Sequence, residues 1–160
     1  MNPYYTDYAE YLSRLFPGQK VQKLSINAGM TCPNRDGTVG AGGCIYCDNR
    51  TFSPPYTDPR LPIRLQIEDG RKFFGRKYPS MKYLAYFQSY TNTFAPADTL
   101  RRLYGEALDC EGIVGIIIGT RPDCLPTATL DLLEEMTRRV PVIVEIGAET
   151  SHDRTLRDVN

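Results

Sequence analysis

A chain of 160 residues is long enough for one domain with its own hydrophobic core. Its 41% hydrophobic and 24% charged residues are the composition of a folded domain and exclude a disordered tail. The 19 basic residues balance the 19 acidic ones, which excludes the strongly basic footprint of a general nucleic-acid binder, local patches aside.

The first residues, Met1-Asn2-Pro3-Tyr4-Tyr5, carry neither a basic n-region nor an apolar h-region, so no signal peptide is expected. The apolar runs are strand-sized and short of a membrane span. The expected compartment is the cytoplasm, where the five cysteines stay reduced. An odd number that includes a close pair points to metal or redox chemistry rather than a disulfide framework.

Asn2 and Pro3 read as the N-cap and first position of a helix. Tyr4, Tyr8, Tyr11, Leu12 and Leu15 then recur on one helical face, a core or interface stripe, and Pro17-Gly18 ends it. Lys23 to Ala28 reads as a short strand with Leu24 and Ile26 on one side. A long loop rich in glycine and proline follows, from Gly29 to about Leu61. Structureless loops of this length are uncommon in compact domains and are usually functional or disordered. Three of the cysteines lie in this one, which favours function. Pro62 to Tyr78 reads as a helix with Ile63, Ile67, Gly70 and Phe74 on one face.

The rhythm then becomes regular. Tyr83 to Gln88 is an apolar strand, and Asp98 to Asp109 a helix with Asp98 as N-cap. Ile113 to Ile118 is a β-branched run suited to a strand buried on both faces. Thr129 to Arg139 is a helix with Glu134–Arg138 and Glu135–Arg139 as i,i+4 pairs. Val142 to Ile146 is a fourth strand. A last helix is expected from Thr150, with Leu156 and Val159 facing inward.

Strands that alternate with helices make an α/β fold with a parallel sheet. Four strands do not close a barrel, which takes about 250 residues in its eightfold form. The expectation is therefore a partial (βα) barrel of four βα units. Residues 1–160 would be the N-terminal part of a single domain that continues beyond Asn160, or a subunit whose open sheet edge is covered in a homo-oligomer.

The loop reads Cys32-Pro-Asn-Arg-Asp-Gly-Thr-Val-Gly-Ala-Gly-Gly-Cys44-Ile-Tyr-Cys47. The close pair lets two thiolates reach one cluster or metal from a single turn. The glycines let the backbone bend around it and donate N–H groups. Iron–sulfur clusters are usually held by four thiolates, so three would leave one iron open. Three other readings stand beside this one. A zinc-binding structural or interaction module without catalysis is the first. A zinc ribbon wants a second close pair, which Cys110 and Cys124 do not form, although Cys124 follows the third strand on the edge that carries the loop. Buried inert thiols fit poorly with a glycine-rich polar context, and a disulfide fits poorly with a reducing compartment.

The stretches Asn27-Ala-Gly-Met-Thr-Cys-Pro-Asn-Arg-Asp-Gly-Thr38 and Gly42-Gly-Cys-Ile-Tyr-Cys47 resemble the YhcC-like group of the radical S-adenosylmethionine (SAM) superfamily. They are more distantly similar to the radical SAM domain of the elongator acetyltransferase. Tyr86-Phe-Gln-Ser-Tyr-Thr-Asn-Thr-Phe-Ala-Pro96 and Gly119-Thr-Arg-Pro-Asp-Cys-Leu-Pro126 fit the same group, so the resemblance spans nearly the whole chain. The commonest pattern of that superfamily has three residues between the first two cysteines; the wider spacing here is typical of this subgroup.

The resemblance implies a radical SAM core with the first strand and cluster-binding loop at residues 18–61. Cys32, Cys44 and Cys47 would hold a 4Fe–4S cluster, with Tyr46 as the aromatic before the last cysteine. The cluster would cleave SAM reductively to a 5′-deoxyadenosyl radical, with an electron donor such as flavodoxin or ferredoxin. Gln88, Ser89 and Asn92 would hold the SAM amino group, against a plain polar turn as the other reading. Arg121 suits a carboxylate of SAM or substrate, since a guanidinium favours bidentate contacts, or it belongs to a turn stabilised by Asp123. Glu145 is a charge inside an apolar strand and needs a partner, which by resemblance is the amine or ribose of SAM. Glu149 stands where the group often has Gln. His152 reads as a surface or capping residue. The substrate is not legible. The elongator similarity admits RNA modification, but the neutral charge lends nucleic acid no support. The remaining strands of the family would complete the pockets, so this chain alone is expected to bind SAM weakly.

Overall fold

The computed structural model describes residues 4–75 and 80–159. Helix α1 (Tyr8–Leu15) leads into strand β1 (Val21–Ile26). A single helical turn, α2 (Pro33–Asp36), and a 3-10 turn (Asn49–Phe52) interrupt the long loop before helix α3 (Ile63–Gly75). Then come β2 (Lys82–Phe87), α4 (Ala97–Leu108), β3 (Ile113–Thr120), a 3-10 turn (Pro122–Cys124), α5 (Thr127–Thr137), β4 (Val142–Ile146) and α6 (Asp153–Val159).

The four strands form one parallel sheet in the order β1-β2-β3-β4, so the α/β class and the parallel sheet agree with the sequence. β1 and β4 are its two edges. Helices α3, α4 and α5 cover one face, over a core of Leu24, Ile26, Ile67, Leu100, Tyr104 and Leu132. The β3 run alternates between faces. Ile116 and Ile118 pack under the helices, while Ile117 joins Phe16 and Leu84 on the other face. That is why the run is apolar throughout rather than at every second position.

α1 differs from expectation. Asp7, not Asn2, caps it, accepting the Glu10 N–H at 2.7 Å. Asn2 and Pro3 lie outside the described residues, and Tyr4 precedes the helix at 91% exposure. Leu12 and Leu15 pack beside Phe16, but Tyr8 and Tyr11 stack on each other at the surface. Only part of the expected stripe is therefore core.

Smaller corrections concern caps and pairs. α3 ends its described course at Gly75, and Lys77 and Tyr78 lie outside the described residues. α4 starts one residue early, at Ala97, with Pro96 in the cap position and Asp98 in the first turn, where its charge still suits the helix dipole. Glu134 and Arg138 pair at 3.0 Å as expected. Glu135 instead reaches Arg101 of α4 at 2.7 Å, because α4 and α5 lie side by side. α6 begins at Asp153 rather than Thr150, after a turn in which Thr150 Oγ1 accepts the His152 N–H. Leu156 is exposed rather than inward.

Gly115 marks a tight approach between neighbouring strands. The β2–β3 register slips there, Tyr83 opposing Ile113 and Leu84 opposing Gly115, as in a bulge. A Cβ at Gly115 would lie 2.8 Å from Leu84 Cδ2 and 2.8 Å from the Pro141 carbonyl oxygen. The carbonyl belongs to backbone and cannot swing aside. Gly115→Ala is expected to cost about 1–3 kcal/mol, the usual range for overpacking. Urea denaturation checks this; a midpoint unchanged from wild type would refute it.

Among the described residues, no helix is long and apolar enough to cross a membrane.

Candidate functional site

The cysteine loop folds back on itself, and this makes its wide spacing workable. Cys32 sits at the cap of α2, its carbonyl accepting the Arg35 N–H at 2.8 Å, with Pro33 at the first helical position. Gly37 closes the turn at φ 94°, a left-handed conformation that glycine adopts without strain. The chain then returns. Val39 and Gly40 donate to the Pro33 carbonyl, Asp36 bridges Ala41, and Gly43 donates to the Asn34 carbonyl at 2.8 Å. Cys44 thereby arrives beside the start of the loop. A turn closed by the Cys47 N–H on the Cys44 carbonyl at 3.0 Å brings in the third thiol.

Gln66 of α3 ties the loop's two ends together. It is fully buried, at 0% exposure. Its Oε1 accepts the Asn27 N–H at 3.0 Å, and its Nε2 donates to the carbonyls of Asn27, Asp58 and Leu61 at 2.9 to 3.1 Å. The sequence reading missed it. The available signal was a polar residue on the apolar stripe of Ile63, Ile67 and Gly70.

Cys32, Cys44 and Cys47 line one cavity of about 590 Å³ at the carboxyl ends of the strands. Tyr46 and Arg121 line it too, as do Arg35, Tyr90, Glu149 and Arg157. Tyr90 (φ 65°) and Glu149 (φ 58°) are the described non-glycine residues in the left-handed region, a conformation that costs energy and concentrates at functional sites. The Arg35 guanidinium lies over the Tyr90 ring, 4.7 Å from its centroid. Burial, then the neighbouring Cys44 and Glu149, raise the Tyr46 phenol above its ordinary value. Burial, followed by the Cys44 and Cys32 charges, raises the Cys47 thiol.

Each of the three sulfurs faces a side-chain N–H. Asn34 Nδ2 is 3.2 Å from Cys44 Sγ, Asn49 Nδ2 is 3.5 Å from Cys47 Sγ, and Arg121 Nη1 is 3.9 Å from Cys32 Sγ. Among the described residues, no three His, Cys, Asp or Glu side chains are grouped to hold a single metal ion. A cluster spreads its thiolates over different irons and asks for a wider set. The donor chemistry of three convergent thiols with N–H groups on their sulfurs fits such a group. Cys124 is buried at 6% exposure and is not among the lining residues; burial above all pushes its thiol up to about 11.

Of the other expected site residues, Gln88, Ser89, Asn92 and Glu145 are not among those that line the cavity. Asn92, fully buried, donates its Nδ2 to the carbonyls of Phe87 and Gly119 and so braces the ends of β2 and β3. Ser89 is buried, and Gln88 accepts the Ser25 hydroxyl at 3.3 Å. Arg121 is held by both Asp123 oxygens at 2.9 and 2.8 Å, so the anchored-turn reading and the cavity reading meet in one residue. Glu145 has the partner its position demands. Its carboxylate accepts from Lys23 Nζ and from Tyr86 Oη, both at 2.6 Å, on the sheet face away from α3–α5. The Lys23 ammonium also lies over the rings of Tyr8 and Tyr86, at 4.7 and 4.6 Å from their centroids.

Comparison with known proteins adds relatives of greater length. The chain is 44% identical to Protein YhcC of Escherichia coli strain K12 over 144 residues, covering 89% of this chain and 45% of that protein. It is 41% identical to YtqA of Bacillus subtilis strain 168, covering 89% and 44%. It is 32% identical to MJ0486 of Methanocaldococcus jannaschii, covering 98% and 48%. The chain thus spans about half the length of these curated relatives. No family model and no solved structure matches it.

The Glu145 cluster has a pH signature. Burial pushes the carboxyl up, but hydrogen bonds from Lys23 and Tyr86 outweigh it and hold the pKa below its ordinary value of 4.5. A lowered folded-state pKa adds stability that is complete above the unfolded-state pKa and is lost as pH falls through the folded one. Wild type should therefore lose stability on acidification below about pH 4.5 more steeply than Glu145→Gln. Urea midpoints measured from pH 7 to pH 3 decide the matter; parallel acid limbs would refute it.

Proposed function

We propose that this chain carries the cluster-holding part of a radical SAM enzyme, a partial (βα) barrel in which Cys32, Cys44 and Cys47 ligate a 4Fe–4S cluster. The observation that carries this reading is the convergence of all three thiols of a widely spaced motif on one cavity at the carboxyl ends of parallel strands. That edge is where ligands of parallel α/β folds bind. The open β4 edge and the greater length of the relatives support a sheet continued by further strands.

When bound, the cluster supplies the electron that cleaves SAM to methionine and a 5′-deoxyadenosyl radical, which takes hydrogen from substrate. The chain's own residues contribute position and charge. The α2 turn and the glycine hairpin behind it fix Cys32 and Cys44 relative to each other. Arg157 and Glu149 offer opposite charges on the cavity wall to the two ends of an amino-acid zwitterion. The Tyr90 and Tyr46 rings supply apolar surface against water. Flavodoxin or ferredoxin is the expected class of electron donor, and the protein acts in the cytoplasm. The substrate stays open, RNA included.

Anaerobic reconstitution with iron and sulfide tests the reading. A brown protein with about four irons per chain that forms 5′-deoxyadenosine from SAM under reductant supports it. A colourless protein with one tight zinc and no cleavage would overturn it. A chain of the relatives' full length is expected to cleave SAM faster than the 160-residue chain; equal rates would refute a pocket shared with the further segments those relatives carry.

A further inference from the structure

We infer that Asn34, Asn49 and Arg121 are a matched set of positioning residues, one N–H donor for each cysteine sulfur, that sets the electron affinity of the group those sulfurs hold. The inference rests on the cluster reading and deepens it. The donors come from three separate segments: α2, the 3-10 turn after Cys47, and the end of β3. Nothing in local sequence brings them together.

Asn49 and Arg121 are each oriented by a second side-chain contact, and Asn34 by the burial of its segment: it is 4% exposed, and its backbone carbonyl takes the Gly43 N–H, which fixes the α2 turn against the returning chain. Asn49 accepts the Tyr90 N–H at Oδ1 (3.4 Å), so the amide can only turn Nδ2 towards Cys47. Asp123 takes Arg121 through Nε and Nη2, which leaves Nη1 for Cys32.

A thiol is a weak acceptor, and an ionised partner makes a hydrogen bond roughly twice as strong. A donor on every sulfur therefore suits three thiolates better than three thiols. Hydrogen bonds to the sulfurs and nearby positive charge favour the more negative, reduced state of a cluster and raise its potential. Arg121 adds a full charge to its N–H and has the largest share.

EPR-monitored redox titration of the reconstituted protein is the test. Arg121→Gln and Asn49→Leu should each shift the midpoint potential to more negative values, Arg121→Gln by more. Arg121→Lys should recover part of the shift by restoring the charge. Arg50→Gln removes a neighbouring charge that is paired with Asp48 and touches no sulfur; its shift should be smaller than that of Arg121→Gln. Asn34→Leu is the variant most exposed to misfolding, so the other two carry the result. If wild type takes up the cluster and both variants keep its potential, the donor inference fails and the cluster reading stands. If wild type binds zinc instead, the cluster reading fails. The cobalt-substituted protein then reads the donors through the sulfur-to-cobalt charge-transfer band, which should move to lower energy in both variants; an unmoved band overturns the inference. Wild type that binds neither iron nor cobalt overturns both.

Discussion

Cys32→Ser, Cys44→Ser and Cys47→Ser are each expected to abolish iron retention and the brown colour, whereas Cys110→Ser and Cys124→Ser keep both. The three thiols line one cavity, and of the two carboxylates that line it with them Asp123 is already held by Arg121, while a hard carboxylate oxygen is a poor substitute for a soft thiolate in iron–sulfur chemistry. Removing a ligand should therefore cost more than the roughly 10–100-fold in affinity that outer partners cost. Cys110 donates to the Glu106 carbonyl at 3.3 Å just after α4, packed against the helix-covered core ahead of the amino end of β3, whereas the cavity lies at the carboxyl ends. Cys124 is the decisive control. A four-thiolate zinc site would need it, and its loss would then release the metal. Its buried thiol has Asp123 beside it at 3.7 Å. Iron and sulfide analysis of the five serine variants checks the set. Full iron in any of the first three, or none in Cys124→Ser, would sink the assignment.

Gln66→Leu is expected to destabilise the protein by about 3–5 kcal/mol, since each stranded buried group costs about 1–3 kcal/mol. Leucine fills the space but strands the Asn27 N–H and takes a donor from three carbonyls. That is a large part of the roughly 5–15 kcal/mol that holds a domain together. Gln66→Glu should be no better: it keeps the acceptor for Asn27, loses the donors and buries a charge. Hydrogen exchange should rise first between residues 27 and 61, because the lost bonds clasp the ends of that segment. Urea denaturation gives the magnitude; a loss below about 0.5 kcal/mol, the scale of an ordinary surface change, would refute the clasp.

Much of the fold was legible because its signals are local. The β-branched run at Ile113–Ile118 marked its strand directly, and the helix expected over Asp98 to Asp109 differs from α4 by one residue at each end. Errors gathered where local signals compete. Asn2-Pro3 and Asp7 are both good helix starts, and the packing of Leu12, Leu15 and Phe16 on Leu84 accompanies the second. Glu135 had Arg139 one turn away and Arg101 on another helix, and the tertiary neighbour took it.

The sequence by itself determined the order of strands and helices, the parallel α/β class and the loop with its three cysteines. Hydrophobic period, turn residues and motif spacing all act within a few residues. Tertiary structure alone decided which polar residues meet. Glu145 finds Lys23 across 122 positions, and Arg121 finds Cys32 across 89. It turned Asn92 and Gln66 into braces and brought Asn34 to the sulfur of Cys44, whereas Asn49 meets Cys47 from two residues away. A side chain's partner depends on strand register and on which segments the core draws together, and no local pattern carries that information.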